Sequence, residues 1–382
     1  MRMDRVIVVG GGIVGASAAY HLAREGIGVV LVDRRDEGHA TRAGAGIVAP
    51  GTSLRDLPAF YTLAGPAVAY YPDLLAALAE IGAGPTGYDV VGKLFLARND
   101  EEAARLDEVY ALFVRRRDEG MPNLGEIRMM EGDEARRLFP ALRVIPRAIH
   151  ISDAARVDGG LLRDALLAGA RHFGAQRRQG EARLLVRSGR VVGVAVDGDT
   201  LEADAVVLAA GAWSAQLTGI LGLDLPVAPQ KGQILHILLP DQDTSRWPIL
   251  GWLGSQYILS FPPNRVVAGA TRETGSGFDT RVTPGGLHEV LATALDIAPG
   301  LANGTLGEVR VGLRPLSADG LPVLGRVPGH DNVVIATGHG PSGLQLGPYS
   351  GRLAAELATG RQPSSDLTPF AVDRPMPAGG DR

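Results

Sequence analysis

The chain has 382 residues, of which 45% are hydrophobic, so it is long enough to form two domains with separate cores. Its formal net charge of −4 gives no electrostatic basis for binding nucleic acid. The absence of cysteine excludes disulfides, thiolate metal sites and a redox-active dithiol. We therefore expect a cytoplasmic protein with no metal site and no transmembrane segment.

The chain begins with a pattern that predicts a β-strand, a tight turn and a helix. A β-branched run over residues 5–9 ends in glycine, and an alanine-rich segment follows at helical spacing. In a dinucleotide site, three such glycines make the turn, admit the pyrophosphate and let helix and strand pack closely, while the helix N-terminus faces the anion. The residues of this motif are Gly10, Gly12, Ile13, Val14 and Gly15.

A second predicted strand ends at Asp33, about 20 residues after the last glycine, as the dinucleotide motif requires. A carboxylate at this position suits the hydroxyls of an adenosine ribose and would repel a ribose 2′-phosphate. Arg34 and Arg35 could instead accept a 2′-phosphate, but we favour solvated side chains or cover for the adenine. A βαβ unit that binds no ligand is the alternative interpretation of the whole motif.

Small residues follow the second strand. A backbone with so little side-chain bulk either lies against a large flat group or forms a flexible loop. The segment contains Thr41, Arg42, Ala43, Gly44, Ala45 and Gly46.

Residues 61–81 next predict a helix that Pro72 or Asp73 breaks in two. The part of the chain that follows is more charged, which indicates a second domain. It predicts a strand at 92–97 and helices at 99–117 and 131–138.

The remaining chain alternates between segments that are rich in glycine, like the N-terminus, and segments that are more charged. The predicted elements are a helix over 158–174, an antiparallel meander over 183–203, a buried strand from Ala205, strands at 234–239, 256–260 and 266–270, a helix at 285–297, strands at 309–313 and 332–338, and a helix at 343–359. A segment rich in proline and glycine follows from Gln362 and is predicted to fray.

Three parts of the sequence together resemble the D-amino-acid oxidase (DAO) superfamily of FAD-dependent oxidoreductases. They are the N-terminal motif, the run Ala209-Ala210-Gly211-Ala212-Trp213-Ser214 after the meander, and a C-terminal run that includes Gly312-Leu313-Arg314-Pro315 and Gly338-His339-Gly340. The resemblance covers nearly the whole chain and is strongest to the glycine oxidase and D-amino-acid dehydrogenase branch.

The resemblance implies an α/β fold with a Rossmann-like, doubly wound FAD-binding domain of the GR2 type and an inserted α+β substrate domain built on an antiparallel sheet. We assign residues 1–86, 151–225 and 308–362 to the first domain and 87–150 and 226–307 to the second, with a flexible tail over 363–382. The FAD is expected to be non-covalent, because the chain has no cysteine to attach it. The implied cofactor residues are Gly10, Gly12, Ile13, Val14, Gly15, Asp33, Arg34, Thr41, Arg42, Ala43, Gly44, Ala45, Gly46, Ala210, Gly211, Trp213, Gly340, Ser342, Gly343, Leu344 and Gln345.

The resemblance also implies substrate-binding residues. Arg314 matches the family arginine that holds a substrate carboxylate, and Tyr257 matches a tyrosine that faces the same carboxylate. Arg272 stands near the substrate side chain, where enzymes that act on small amines carry an apolar residue. Arg272 either favours a substrate with an acidic or polar side chain or points to solvent. His339 lies in a turn of the family fold, and we expect it to be structural.

The implied reaction is oxidation of the C–N bond of an amino acid or secondary amine that carries a carboxylate. Hydride passes to flavin N5, and the imine is hydrolysed to a keto acid plus ammonia or an amine. Three alternatives stay open: a 2-hydroxy-acid oxidoreductase of the same fold, with His236 or Lys231 as a candidate base, an NAD-dependent dehydrogenase, and a non-catalytic flavin-binding protein. The electron acceptor, oxygen or a quinone, is open, as are peripheral membrane contact and homo-oligomerisation.

Overall fold

A computed structural model describes residues 3–376. Its strands are β1 (Arg5–Val9), β2 (Gly28–Asp33), β3 (Ile47–Val48), β4 (Asp89–Val90), β5 (Lys93–Leu96), β6 (Ile127–Glu131), β7 (Arg147–Ile151), β8 (Ala155–Arg156), β9 (Gln176–Gln179), β10 (Ala182–Arg187), β11 (Arg190–Val196), β12 (Asp199–Glu202), β13 (Ala205–Leu208), β14 (Val227–Leu238), β15 (Ile249–Trp252), β16 (Tyr257–Phe261), β17 (Arg265–Gly269), β18 (Thr305–Ser317), β19 (Val323–Val327) and β20 (His330–Thr337). Its helices are α1 (Ile13–Arg24), α2 (Ala40–Ala43), α3 (Pro58–Ala69), α4 (Tyr71–Glu80), α5 (Asp100–Asp118), α6 (Gly132–Leu138), α7 (Gly159–His172), α8 (Ala215–Thr218), α9 (Pro284–Ile297) and α10 (Gly343–Ala358).

A six-stranded sheet forms the first layer of the fold, in the order β19-β20-β13-β1-β2-β9. All its neighbours are parallel except β19 and β20. Apolar side chains from α1, α3, α4, α7 and α10 cover one face, and the meander β10-β11-β12 packs on the other. The central strands β1, β13 and β20 are buried on both faces, which explains their apolar sequences, whereas the edge strand β9 is polar and exposed.

Two glycines let the helices approach this sheet and each other closely. A Cβ atom at Gly15 in α1 would overlap the carbonyl oxygen of Gly10, where the chain turns with a positive φ of 104°. A Cβ at Gly351 in α10 would lie 2.5 Å from the Cβ of Ser17 in α1. The packing role expected of the third glycine of the motif is therefore visible in the contact at Gly15.

An eight-stranded sheet forms the second layer, in the order β18-β14-β17-β16-β15-β5-β7-β6. It is antiparallel except where β15 pairs with β5. Helix α9 packs on one face, and α5 covers the other face near β5 and β7. Most of β18 falls beyond the predicted boundary at residue 308, yet it pairs with β14 in this sheet along nearly its whole length. The predicted boundary therefore cuts through a continuous strand.

The predicted fold class is confirmed, with both layers present as expected. The run at 61–81 forms two helices, α3 and α4, as the predicted break requires, but they meet at Tyr70 rather than at Pro72 or Asp73. Residues 363–376 of the predicted tail pack against the fold rather than fraying, since Phe370 is fully buried and Arg374 pairs with Asp319 at 2.7 Å. The rest of that tail, 377–382, lies outside the described residues. Within residues 3–376, no helix is long and apolar enough to cross a membrane.

Candidate active site

A cavity of about 830 Å³ lies where the two sheets meet. This volume is within the usual range for cofactor and ligand sites. Its wall contains the three predicted substrate residues, Arg314, Tyr257 and Arg272. It also contains every predicted cofactor residue except Gly15, which packs α1 on β1, and Ser342, which lies just behind the wall.

The N-terminus of α1 forms one end of the cavity. The helix has no side-chain cap, and the Ile13 N–H donates to Thr41 Oγ1 at 3.0 Å. This bond ties the small-residue segment to the glycine turn. Side chains are absent at Gly10 and Gly12, so a ligand can lie close to the backbone and to the positive end of the helix dipole, which suits a pyrophosphate.

The carboxylate of Asp33 lies beside this turn at the end of β2. It pairs with Arg163 of α7 at 3.4 Å, and Arg163 Nε also donates to the Gly11 carbonyl at 2.5 Å. Arg34 is bound by Asp36 at 2.8 Å. The environment of Asp33 therefore fits the hydroxyls of a ribose. Sequence reasoning missed Arg163, because it lies far along the chain and no motif marks it.

The meander supplies the outer wall of this end of the cavity. Ala182 and Leu184 of β10 line it, together with Arg177 of β9. These residues give an apolar surface with a cation at its edge, which can receive an aromatic base. The sequence predicted the meander but not its place in the site.

The N-terminus of α10 forms the other end of the cavity. Gly343, Leu344 and Gln345 line it, and no side chain caps the helix. His339 also contributes to the wall, and its Nε2 lies 2.9 Å from Ser350 Oγ. Burial lowers the pKa of His339 to about 4, so the ring is neutral at pH 7. These contacts tie the ring to α10, as expected of a structural residue.

Arg314 projects from β18 into the cavity. Its Nη1 donates to the carbonyl of Thr271 at 3.1 Å and lies 3.4 Å from that of Lys231. A side chain at Gly232 of β14 would overlap the guanidinium, which explains the glycine there. No carboxylate within residues 3–376 forms an ion pair with Arg314, so its charge is available to a ligand.

The hydroxyl of Tyr257 faces the same guanidinium. Burial raises the pKa of Tyr257, and the neighbouring Arg314 and Arg272 oppose that rise. The phenol is therefore protonated at neutral pH and can donate a hydrogen bond. Burial also lowers the pKa of Arg314. The structure thus brings together the two residues predicted to hold a carboxylate.

Arg272 lies in the cavity wall one residue after Thr271, and it is exposed there. Arg55, which sequence reasoning missed, lies nearby: burial lowers its pKa first, and the charge of Arg272 lowers it further. Arg55 Nη1 donates to Ser342 Oγ at 3.0 Å. Arg55 stands in a polar loop without a motif, so only the fold brings it behind this end of the cavity wall.

The two candidate bases for a hydroxy-acid reaction are not in the cavity wall. Lys231 is buried and pairs with Asp279 at 3.2 Å and Glu273 at 3.5 Å. His236 is buried next to Arg265, and burial lowers its pKa to about 4. Both side chains are therefore engaged elsewhere in the sheet.

The fold and this cavity define a flavin-type oxidoreductase, with a glycine turn at the edge of a Rossmann-like sheet and the guanidinium of Arg314 reaching the same cavity from the second sheet. The chain belongs to the family of DAO FAD-dependent oxidoreductases, whose model matches residues 5–357. The cofactor is FAD, and the uncapped helix ends, the glycine turn and Asp33 fit it.

Similar proteins span nearly the whole chain. An uncharacterized oxidoreductase, YurR, from Bacillus subtilis is 43% identical, over 96% of this chain and 98% of its own. Glycine oxidase from Pseudomonas aeruginosa is 36% identical, with the same coverage. The crystal structure of iminodiacetate oxidase from Chelativorans sp. BNC1 is 44% identical with a TM-score of 0.93, covering 96% of this chain and 99% of that one. Glycine oxidase from Geobacillus kaustophilus has a TM-score of 0.87 at 29% identity, covering 98% and 100%.

Proposed function

We propose that this protein oxidises the C–N bond of a small amine that carries a carboxylate, either an amino acid or a secondary amine. The observation that carries the proposal is Arg314: a guanidinium in the cavity wall, free of carboxylate partners within the described chain and facing the Tyr257 hydroxyl. Few groups other than a ligand carboxylate would satisfy both donors at once.

The residues of the cavity have separate roles in the reaction. Arg314 and Tyr257 bind the carboxylate and so orient the carbon next to it. When bound, FAD accepts the two electrons and the hydrogen that leave this carbon as hydride. The amine loses its proton to solvent, and water hydrolyses the imine to a carbonyl acid plus ammonia or an amine. No side-chain base is required for this sequence.

The names of the similar proteins support two substrate candidates. The chain resembles glycine oxidases over its full length, and it resembles an iminodiacetate oxidase at higher identity. Iminodiacetate is a secondary amine with a carboxylate on each side. A cation at Arg272 suits such a diacid better than it suits glycine, which has no second charged group.

Reduction of the purified flavoprotein without oxygen tests the proposal. Glycine, sarcosine, iminodiacetate and several D-amino acids are added in turn, and loss of the visible flavin absorption is followed. We expect at least one amine to reduce the flavin and to yield a carbonyl acid with an equal amount of ammonia or amine.

Two outcomes would contradict the proposal. Reduction by 2-hydroxy acids alone, with a keto acid and no ammonia, would assign the alternative reaction. If the protein binds FAD but no member of the panel reduces the flavin, the proposed function is wrong.

A further inference from the structure

We propose that Arg272, with Arg55 behind it, forms a second anion-binding subsite, so that the substrate is an amine carrying two carboxylates. This inference rests on the proposed function and deepens it. Arg314 and Tyr257 hold the first carboxylate, and Arg272 in the cavity wall receives the second, while Arg55 adds positive charge behind the wall.

The first argument is the lack of an internal partner for Arg272. Its nearest acid in the chain, Glu273, is held by other groups: it accepts from Thr271 Oγ1 at 2.6 Å and from Gln233 Nε2 at 2.7 Å, and it faces Lys231 at 3.5 Å. The carboxylate of Glu273 is therefore committed to the back of the strand. Arg272 has no ion pair within residues 3–376 and lines the cavity with its charge exposed.

The second argument is the position of Arg55. The side chain is half-buried, with its guanidinium 5.3 Å from the Phe60 ring centre and Nη1 on Ser342 Oγ. Ser342 directly precedes Gly343 in the cavity wall. Arg55 makes no ion pair with a described carboxylate, although a partly buried charge is normally paired. Arg55 is thus a second cation, held behind this end of the cavity wall by a neutral hydroxyl.

The third argument is the mutual effect of the three guanidiniums. The charge of Arg272 opposes protonation of both Arg55 and Arg314, in addition to the effect of their burial. Arg272 thus repels both of the other guanidiniums, and the charge of Glu273 offsets part of this repulsion at Arg314. A substrate with one carboxylate relieves only the Arg314 end, whereas a diacid places an anion at both ends.

Binding of unreactive analogues tests this subsite separately from turnover. Glutarate has the shape of a secondary amine with two acetate arms but carries CH₂ in place of NH, and butyrate matches sarcosine in the same way. Perturbation of the flavin spectrum gives their dissociation constants. We expect wild-type protein to bind glutarate at least about tenfold more tightly than butyrate, as one added charge-assisted contact predicts.

Matched variants then locate the subsite. Arg272→Gln should weaken glutarate binding about tenfold while butyrate binding changes less than about twofold, and Arg55→Gln should weaken glutarate binding by a smaller factor. Arg272→Lys should retain part of the preference, because the charge remains. Arg117→Gln should leave both constants unchanged, because this partly exposed arginine of α5 lies outside the cavity wall and pairs with its neighbour Asp118.

The outcomes separate the two proposals. Equal binding of glutarate and butyrate by wild-type protein, or equal losses for both in the variants, would overturn the subsite even if amines still reduce the flavin. Failure of every amine to reduce the flavin would instead overturn the proposed function.

Discussion

Gly15 shows how a single residue holds the dinucleotide motif together. It is not in the cavity wall, and its role is to let α1 lie against the carbonyl of Gly10. Adding one methyl group there must push the helix away from β1, because backbone atoms cannot yield as a side-chain tip can. The position of the turn, and with it the pyrophosphate site, depends on that contact.

We expect Gly15→Ala to lower the melting temperature and to weaken retention of FAD, through overpacking that costs about 1–3 kcal/mol. Gly285→Ala is the control, since it lies in the first turn of α9 with open space around it. Thermal melts and the ratio of flavin to protein absorbance measure both effects. A Gly15→Ala protein that keeps wild-type stability and FAD content would show that the contact is dispensable.

At the residue scale, prediction from the sequence depended on local signals. Gly10, Gly12, Asp33 and Arg314 belong to short motifs, and all four line one cavity, whereas Gly15 packs α1 against the turn. No short motif marks Arg163 or Arg55. Each is placed by a contact with a residue distant in the chain: Arg163 pairs with Asp33, and Arg55 donates to Ser342.

The pair β14 and β18 is the element that positions the substrate end of the cavity. Arg314 leaves β18 opposite Gln230, and its guanidinium is held by the carbonyls of Lys231 and Thr271. Residues 271–273 are fixed in turn by paired backbone bonds between Lys231 and Glu273. The buried Lys231 side chain therefore supports the strand segment that carries Arg272 and holds Arg314.

We expect Lys231→Met to lower the free energy of unfolding by about 2 kcal/mol, less than the loss of a fully buried pair because both carboxylate partners are about a quarter exposed. It should also weaken glutarate binding, because Glu273 is released beside Arg272. Chemical denaturation and the spectral titration measure the two effects. An unchanged free energy of unfolding together with an unchanged dissociation constant for glutarate would show that Lys231 does not support this segment.

At this scale the sequence predicted the strands but not their membership of a sheet. The runs that became β14 and β18 were expected, yet the boundary at 308 separated them. Exposed, charged residues at the start of β18 resemble a domain edge in sequence, whereas the pairing with β14 depends on contacts between residues far apart in the chain.

Buried histidines make the stability of the whole molecule depend on pH. Burial lowers the pKa of His21, His236 and His339 each to about 4, against 6.5 in an unfolded chain. Above pH 6.5 the rings are neutral in both states, so their contribution to stability is complete. As the pH falls from 6.5 towards 4, the unfolded chain binds protons that the folded chain does not, and stability is lost.

We therefore expect the free energy of unfolding, measured with saturating FAD, to fall steadily between pH 6.5 and 4, by up to about 3 kcal/mol for each fully buried ring. His21→Gln should flatten this slope, since Gln cannot ionise and can still bond the Tyr70 hydroxyl that lies 2.6 Å from His21 Nε2. A slope that is unchanged in the variant would exclude His21 as a source of the acid sensitivity.

The joining of the two sheets around one cavity is the feature on which the functional account depends, because it brings the uncapped helix ends to the same space as Arg314. The most direct measurement is the rate of anaerobic flavin reduction in Arg314→Ala, with Arg117→Ala as the matched control. We expect the apparent second-order rate constant for every reactive amino acid to fall about 100-fold or more in Arg314→Ala, because carboxylate binding and substrate orientation are lost together. Reduction at the wild-type rate would contradict the assignment of this cavity as a carboxylate-guided amine site.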